Sequence, residues 1–150
     1  MNITKTLILA VSAAVLAFPA AAQFAKAEDA IAYRRASFSV MQTHFFRLGN
    51  MANGRVPYDA KAAADNADIV QALAQLPWPA FGAGTDKGET RAHPAIWTQQ
   101  AKFADLSNKM RAETVKLSAA ARTGDVDKLK TAFRATSGSC QSCHDVFRTR

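Results

Sequence analysis

Cysteine is nearly missing from this chain: two among 150 residues exclude the disulfide framework that staples many small secreted folds. Seven glycines and five prolines are too few for a fibrous or low-complexity chain. Nowhere do apolar and polar positions alternate convincingly as a half-buried strand requires, and no internal repeat occurs. Acidic side chains are outnumbered, 12 against 19 basic ones. The Lys and Arg are nevertheless scattered, with no cluster and no stacking aromatics between them. That excludes a nucleic-acid partner and leaves a basic surface able to steer acidic protein partners.

Long apolar runs are also lacking, with one exception at the start. MNITK supplies a short basic segment, TLILAVSAAVLAF an apolar core, and Ala20-Ala21-Ala22 the small residues that a signal peptidase accepts. The run is shorter than the roughly 20 residues that cross a bilayer. Residues 1–22 are therefore expected to be a cleaved leader, residues 23–150 a single exported domain, and the chain to have no membrane span. Only Lys5 among the charged residues leaves with the leader, so the mature domain stays basic.

Helical spacing accounts for the rest. Apolar positions recur in steps of three and four over four segments: Glu28 to Leu48, Tyr58 to Leu76, Pro94 to Ala121, and Val126 to Phe147. Pro77 and Pro79 stop the second, Pro94 suits a first helical turn, Gly124 follows the third, and Asp125 caps the fourth. Two of the three links are short, which makes neighbours antiparallel. The expected fold is all-α, an up-down-up-down four-helix bundle. In that topology the end of the fourth helix is level with the starts of the first and third, and with the long connector from Pro77 to His93.

The fourth segment is the most regular, with Val126, Leu129, Phe133, Thr136, Cys140, Cys143 and Phe147 on one seam. Both cysteines lie on it, three apart, with His144 next. A disulfide one turn apart on a helix would be strained. A redox dithiol needs thiolates stabilised at a helix N-terminus, and these sit near a C-terminus. Structural zinc needs a fourth ligand that nothing in the spacing supplies.

C-x-x-C-H is the attachment signature of c-type haem: each thiol adds to a vinyl group and the adjacent histidine is held beneath the iron. At about 100° per residue, Cys143 and His144 fall within about 60° of Cys140 on a helix. One covalently attached haem c per chain, buried in the bundle core, is the expected cofactor. Elsewhere, Arg34 interrupts the stripe Ile31, Phe38, Met41, Phe45, Leu48 with a charge. Burying it would be costly without a partner, and a haem propionate is a natural one.

With QFAKAEDAIAYRRASFSVM, PYDAK, LPWPAFGAGT, PAIW and the closing SCQSCHDVFR, the mature chain resembles the cytochrome c′ family, a four-helix bundle. The resemblance implies a periplasmic haem protein, often a homodimer, with iron held by one histidine and its other face open. Carried over by position, it gives Cys140 and Cys143 the thioether roles and His144 the axial one. Arg34 and Arg35 fall near the propionates, Phe38 over the open face, and Arg148 beside the axial histidine. Trp78 and Phe81 would cover the porphyrin edge, with Glu89 or Arg91 as polar neighbours and His93 exposed.

Phe38 cannot ligate iron; Met41, one turn further along, is the alternative sixth ligand, while His44 is rotated about 120° away from Phe38. The implied function is one-electron transfer to redox partner proteins with binding of small gases (NO, CO), rather than enzymatic catalysis. A dedicated NO scavenger, or a six-coordinate carrier using Met41, are the alternatives.

Overall fold

Helix ends in this protein are set by local chemistry. The computed structural model describes residues 23–149, so the expected leader, residues 1–22, lies outside the described residues. Helix α1 spans Ala27–Ala52 and closes in a Schellman motif: Gly54 N–H donates to the Met51 carbonyl and Arg55 N–H to that of Asn50. Gly54 has φ +68°, a conformation that favours glycine. Helix α2, Ala60–Leu73, starts where the Asp59 carboxylate accepts from the Ala62 N–H at 2.9 Å. Helix α5, Val126–Phe147, starts where Asp125 accepts from the N–H groups of Asp127 and Lys128.

The expected third helix is two. A short α3, Ala95–Thr98, is separated from α4, Gln100–Ala121, by Gln99 at φ −123°, ψ 47°. No glycine or proline marks the break. It arises because α3 is tied to the connector rather than to the bundle: Trp97 Nε1 donates to the carbonyls of Phe81 and Gly82. Ile96 and Phe103 can both face inward across either arrangement, so spacing alone does not distinguish them. Helix α1 runs one turn further than its apolar stripe, and α2 is shorter at both ends than expected.

The four long helices form a ring of neighbours, α1 on α2, α2 on α4, α4 on α5 and α5 on α1. This is the antiparallel bundle that the spacing predicts. Its core holds Met41, Leu48, Ala63, Ala67, Val70, Met110, Leu117 and Leu129. Val126, expected on the inward seam, is instead exposed, because the first residue of α5 lies beyond the end of that core.

Where α1 meets α5 the fit is tight. A Cβ built on Gly49 would lie 2.7 Å from the Phe133 ring, which stacks on Phe45 at 4.4 Å between centroids. Gly49→Ala should therefore destabilise the bundle by about 1–3 kcal/mol, since the ring has a stacked neighbour behind it. Chemical denaturation should show the loss with an unchanged m-value.

A polar tie joins α2 to α4. The Asp68 carboxylate accepts from Ser118 Oγ at 2.5 Å and from Arg122 Nη2 at 2.9 Å. These two hydrogen bonds, Arg122 first, lower the Asp68 pKa. The stabilisation is complete above the ordinary carboxylate pKa and is lost as pH falls through the lowered native value. Because the pair is solvent-exposed, Asp68→Asn should cost under about 1 kcal/mol at neutral pH. Melting temperatures of variant and parent should converge in acid.

Candidate functional site

Four chain segments meet at one end of the bundle. The connector after α2 turns through a single 3-10 turn, Trp78–Ala80, then crosses to α3. Ala92 pairs with Arg148 in an isolated antiparallel bridge, with His93 N–H donating to the Phe147 carbonyl and Thr149 N–H to that of Arg91. The end of α5 is thereby fastened to the connector, as the topology requires.

Cys140 and Cys143 are both partly buried on α5, and neither is in a disulfide. Cys140 packs against the core cluster. Burial raises the pKa of the Cys140 thiol, and burial together with the neighbouring Cys140 pushes Cys143 up to about 11. Both therefore stay protonated at neutral pH, the opposite of what a redox dithiol needs. Nor do the described residues gather three or more His, Cys, Asp or Glu as a metal-ion site would.

His144 is exposed, next to Cys143 and one turn beyond Cys140. Desolvation by its surroundings lowers its pKa, Arg148 and Arg91 add to the effect, and Asp145 opposes it. The shift favours the neutral ring, the form in which imidazole ligates a metal. The other two histidines are engaged elsewhere. His44 Nδ1 shares a 2.8 Å hydrogen bond with the buried Asn66 of α2, and the exposed His93 accepts from the Ala95 N–H at 3.1 Å.

Five rings from α1, the connector, α4 and α5 line this end. Phe38 lies edge-on to Trp78 at 5.9 Å and to Phe81 at 6.5 Å; Phe103 meets Trp78 at 5.8 Å and Phe81 at 5.0 Å. Phe103 in turn meets Phe147, one turn past Cys143, at 5.3 Å. An unbroken set of ring contacts thus runs from Phe38 on α1 to the helix that carries the thiols. Two thiols and a neutral imidazole on one helix side, next to an aromatic wall, suit a porphyrin attached through two thioethers. Met41 is packed into the hydrophobic core one turn along α1.

Arg34 does not reach solvent. It is 2% exposed, and burial lowers its pKa. Its hydrogen-bond partners are the Ala80 and Thr85 carbonyls and the hydroxyls of Thr85 and Thr90, at 2.7–2.8 Å. The sequence suggested a haem propionate as its partner; among the described residues the connector's carbonyls and hydroxyls fill that role. Spacing carried no sign of Thr85 and Thr90, which lie more than 50 residues away. Arg35 and Glu89 form an exposed ion pair at 2.8 Å beside them. Arg148 is exposed after α5, and Arg91 Nε donates to the Thr149 carbonyl. The structure therefore brings Arg34, Arg35 and Glu89 together at the connector, and Cys140, Cys143, His144 and Arg148 together on the α5 side.

Comparison with known proteins points the same way. Residues 29–148 match the family described as Cytochrome C'. A cytochrome c' from Rubrivivax gelatinosus is 46% identical over 129 residues, covering 85% of this chain and all of that protein. Its crystal structure superposes with a TM-score of 0.82, over 84% of this chain and 99% of that one. A nitric oxide complex of a variant cytochrome c prime from Alcaligenes xylosoxidans superposes at 0.80 with 42% identity, over 85% and 99%. The antiparallel bundle, the closing C-x-x-C-H and these likenesses across the described chain agree: it belongs to the cytochrome c′ family, helical bundles that carry covalently bound haem c.

Proposed function

We propose that this protein is a periplasmic carrier of one haem c, exported by residues 1–22, that exchanges single electrons and captures small neutral gases on an apolar distal face. Haem c supplies the one-electron chemistry and an iron position open to nitric oxide or carbon monoxide. In this reading Cys140 and Cys143 would hold the ring by thioethers and His144 would supply the iron's ligand. Its lowered pKa supports that role, because it favours the neutral, ligating form of the ring. Arg34, Arg35 and Glu89 would border the haem edge, and Arg148 would stand on the side of His144.

The observation that carries the gas-binding reading is the wall opposite: Phe38, set among Trp78, Phe81 and Phe103, offers neither a ligating atom nor a hydrogen-bond donor. Such a face favours ligands that need no donor and disfavours dioxygen carriage and peroxide chemistry. The nitric oxide complexes of the Alcaligenes xylosoxidans protein are in keeping with it. No helix among the described residues is long and apolar enough to cross a membrane. For the expected homodimer, the exposed Val40 and Phe46 on α1 are the candidates for burial between two copies.

Ferric and ferrous absorption spectra with and without carbon monoxide test the proposal. High-spin spectra with a marked shift on adding the gas are expected. A low-spin spectrum indifferent to the gas would overturn the reading in favour of Met41 ligation and electron transfer alone.

A further inference from the structure

A guanidinium has five N–H donors in a planar fork. In Arg34 four of them are spent on eleven consecutive residues of the connector. Nη1 donates to the Ala80 carbonyl and to Thr85 Oγ1, each at 2.8 Å; Nη2 donates to the Thr85 carbonyl and to Thr90 Oγ1, each at 2.7 Å. Only Nε–H is left over. Thr85 Oγ1 passes its own proton to the Gly82 carbonyl at 2.8 Å, so the hydroxyl both accepts from Arg34 and closes the turn beneath it. The flat face of the guanidinium lies over the Phe81 ring, 4.4 Å from its centroid.

No carboxylate neutralises this charge among the described residues, and yet it is almost fully enclosed. What stabilises it is the number and direction of the connector's carbonyl and hydroxyl dipoles. The dependence is mutual, because the same contacts fold residues 80–90 around one side chain. Among the described residues, Phe81 is the only ring both stacked on Arg34 at close range and in contact with Phe38. Arg34 and Phe38 are also one turn apart on α1, so the backbone holds clamp and gate in fixed relation.

We propose that Arg34 is a positioning residue for the distal gate: by gathering residues 80–90 and seating Phe81 beneath its guanidinium, it fixes the ring against which Phe38 rests, and so sets how readily a small gas passes Phe38. This rests on the gas-binding reading given above. It assigns Arg34 an action through Phe81 and Phe38, distinct from any contact with a propionate.

The test uses the holoprotein with Arg34→Lys, Thr85→Val, Phe38→Ala and the Arg34→Lys/Phe38→Ala combination. Thr85→Val keeps the charge and removes one acceptor, so it remains informative if Arg34→Lys folds poorly. Two readouts are needed: amide hydrogen exchange in residues 80–90, and carbon monoxide association with the ferrous protein after flash photolysis. Lysine cannot reproduce the fork, so Arg34→Lys should speed exchange of the connector amides by about tenfold or more, with Thr85→Val smaller in the same direction.

Association should change several-fold or split into more than one phase in both variants. In the Phe38→Ala background the effect of Arg34→Lys on association should vanish, because the gate it positions is gone. Faster connector exchange with unchanged association would overturn the proposal, leaving Arg34 a loop anchor only. An Arg34→Lys effect that persists undiminished without the Phe38 ring would overturn it too, by showing a route that bypasses the gate. Wild-type protein that takes up no carbon monoxide would sink the gas-binding reading and this proposal together, which sets that failure apart from the other two.

Discussion

Replacing Cys140 and Cys143 together by serine should give a colourless chain that melts without a sharp transition. The thiols are the only two in the sequence, so no other pair can hold the ring covalently. A porphyrin enclosed by the bundle removes a few hundred Å² of apolar surface from water, on the order of 10 kcal/mol by area. Domains of this size are stable by only about 5–15 kcal/mol, so the cofactor's share is comparable to the whole. The loss should also be uneven. Leu48, Ala63, Ala67, Val70, Leu117 and Leu129 are fully or almost fully buried by other protein side chains. The other end depends on rings that face the thiol helix. Helical circular dichroism should be partly kept while near-ultraviolet signals from Trp78 and Trp97 are lost. Haem staining after denaturing electrophoresis reads the attachment, and thermal melts read the cooperativity. A fully helical, sharply melting double variant would show that the bundle stands without its cofactor. The single variants are expected to stay coloured, each through its remaining thioether.

That dependence explains which parts of this protein could be read from residues alone. The α5 seam was legible because Leu129, Thr136 and Phe147 are buried at helical spacing, and the thiols fall in the same register. The cap of α5 was legible because Asp125 does its work within three residues, whereas Asp59, which caps α2, was hidden inside a helix read as starting at Tyr58. The α4 stripe was harder to see in full, since Ser107, Thr114 and Ser118 are buried yet count as polar in any pattern. Ser107 and Thr114 cost little inside, because each hydroxyl donates to a carbonyl three residues back, Ala104 and Arg111 respectively. Ser118 reaches across to Asp68 instead.

At the site, the charge at Arg34 announced a buried partner without saying which. Spacing informs about neighbours on one helix. The Arg34 contacts to Thr85 and Thr90 join α1 to an irregular connector, where no period exists to be read. The break at Gln99 was hidden for the same reason, its cause being the Trp97 hydrogen bonds to the Phe81 and Gly82 carbonyls.

Truncating the Phe38 ring, on the proposed distal face, should have the largest kinetic effect of any single substitution. Phe38→Ala removes the ring that touches both Trp78 and Phe81, and the two neighbours cannot readily close the gap. Trp78 is fixed by its Nε1 hydrogen bond to the Ala74 carbonyl at 2.7 Å, and Phe81 lies under Arg34. A space therefore opens on the proposed gas-binding face instead of being refilled. Carbon monoxide association with the ferrous protein should quicken by at least about tenfold, the equivalent of about 1.4 kcal/mol of steric barrier. Dissociation should change less, since the ring makes no polar contact that could hold a bound gas. Because Phe38 is only partly buried, the stability cost should stay below the roughly 3–5 kcal/mol of a fully enclosed phenylalanine. Phe38→Leu, which keeps part of the volume, should fall between the two. Flash photolysis decides the matter: an unaltered association rate in Phe38→Ala would mean that the barrier to ligand entry lies elsewhere than at this ring.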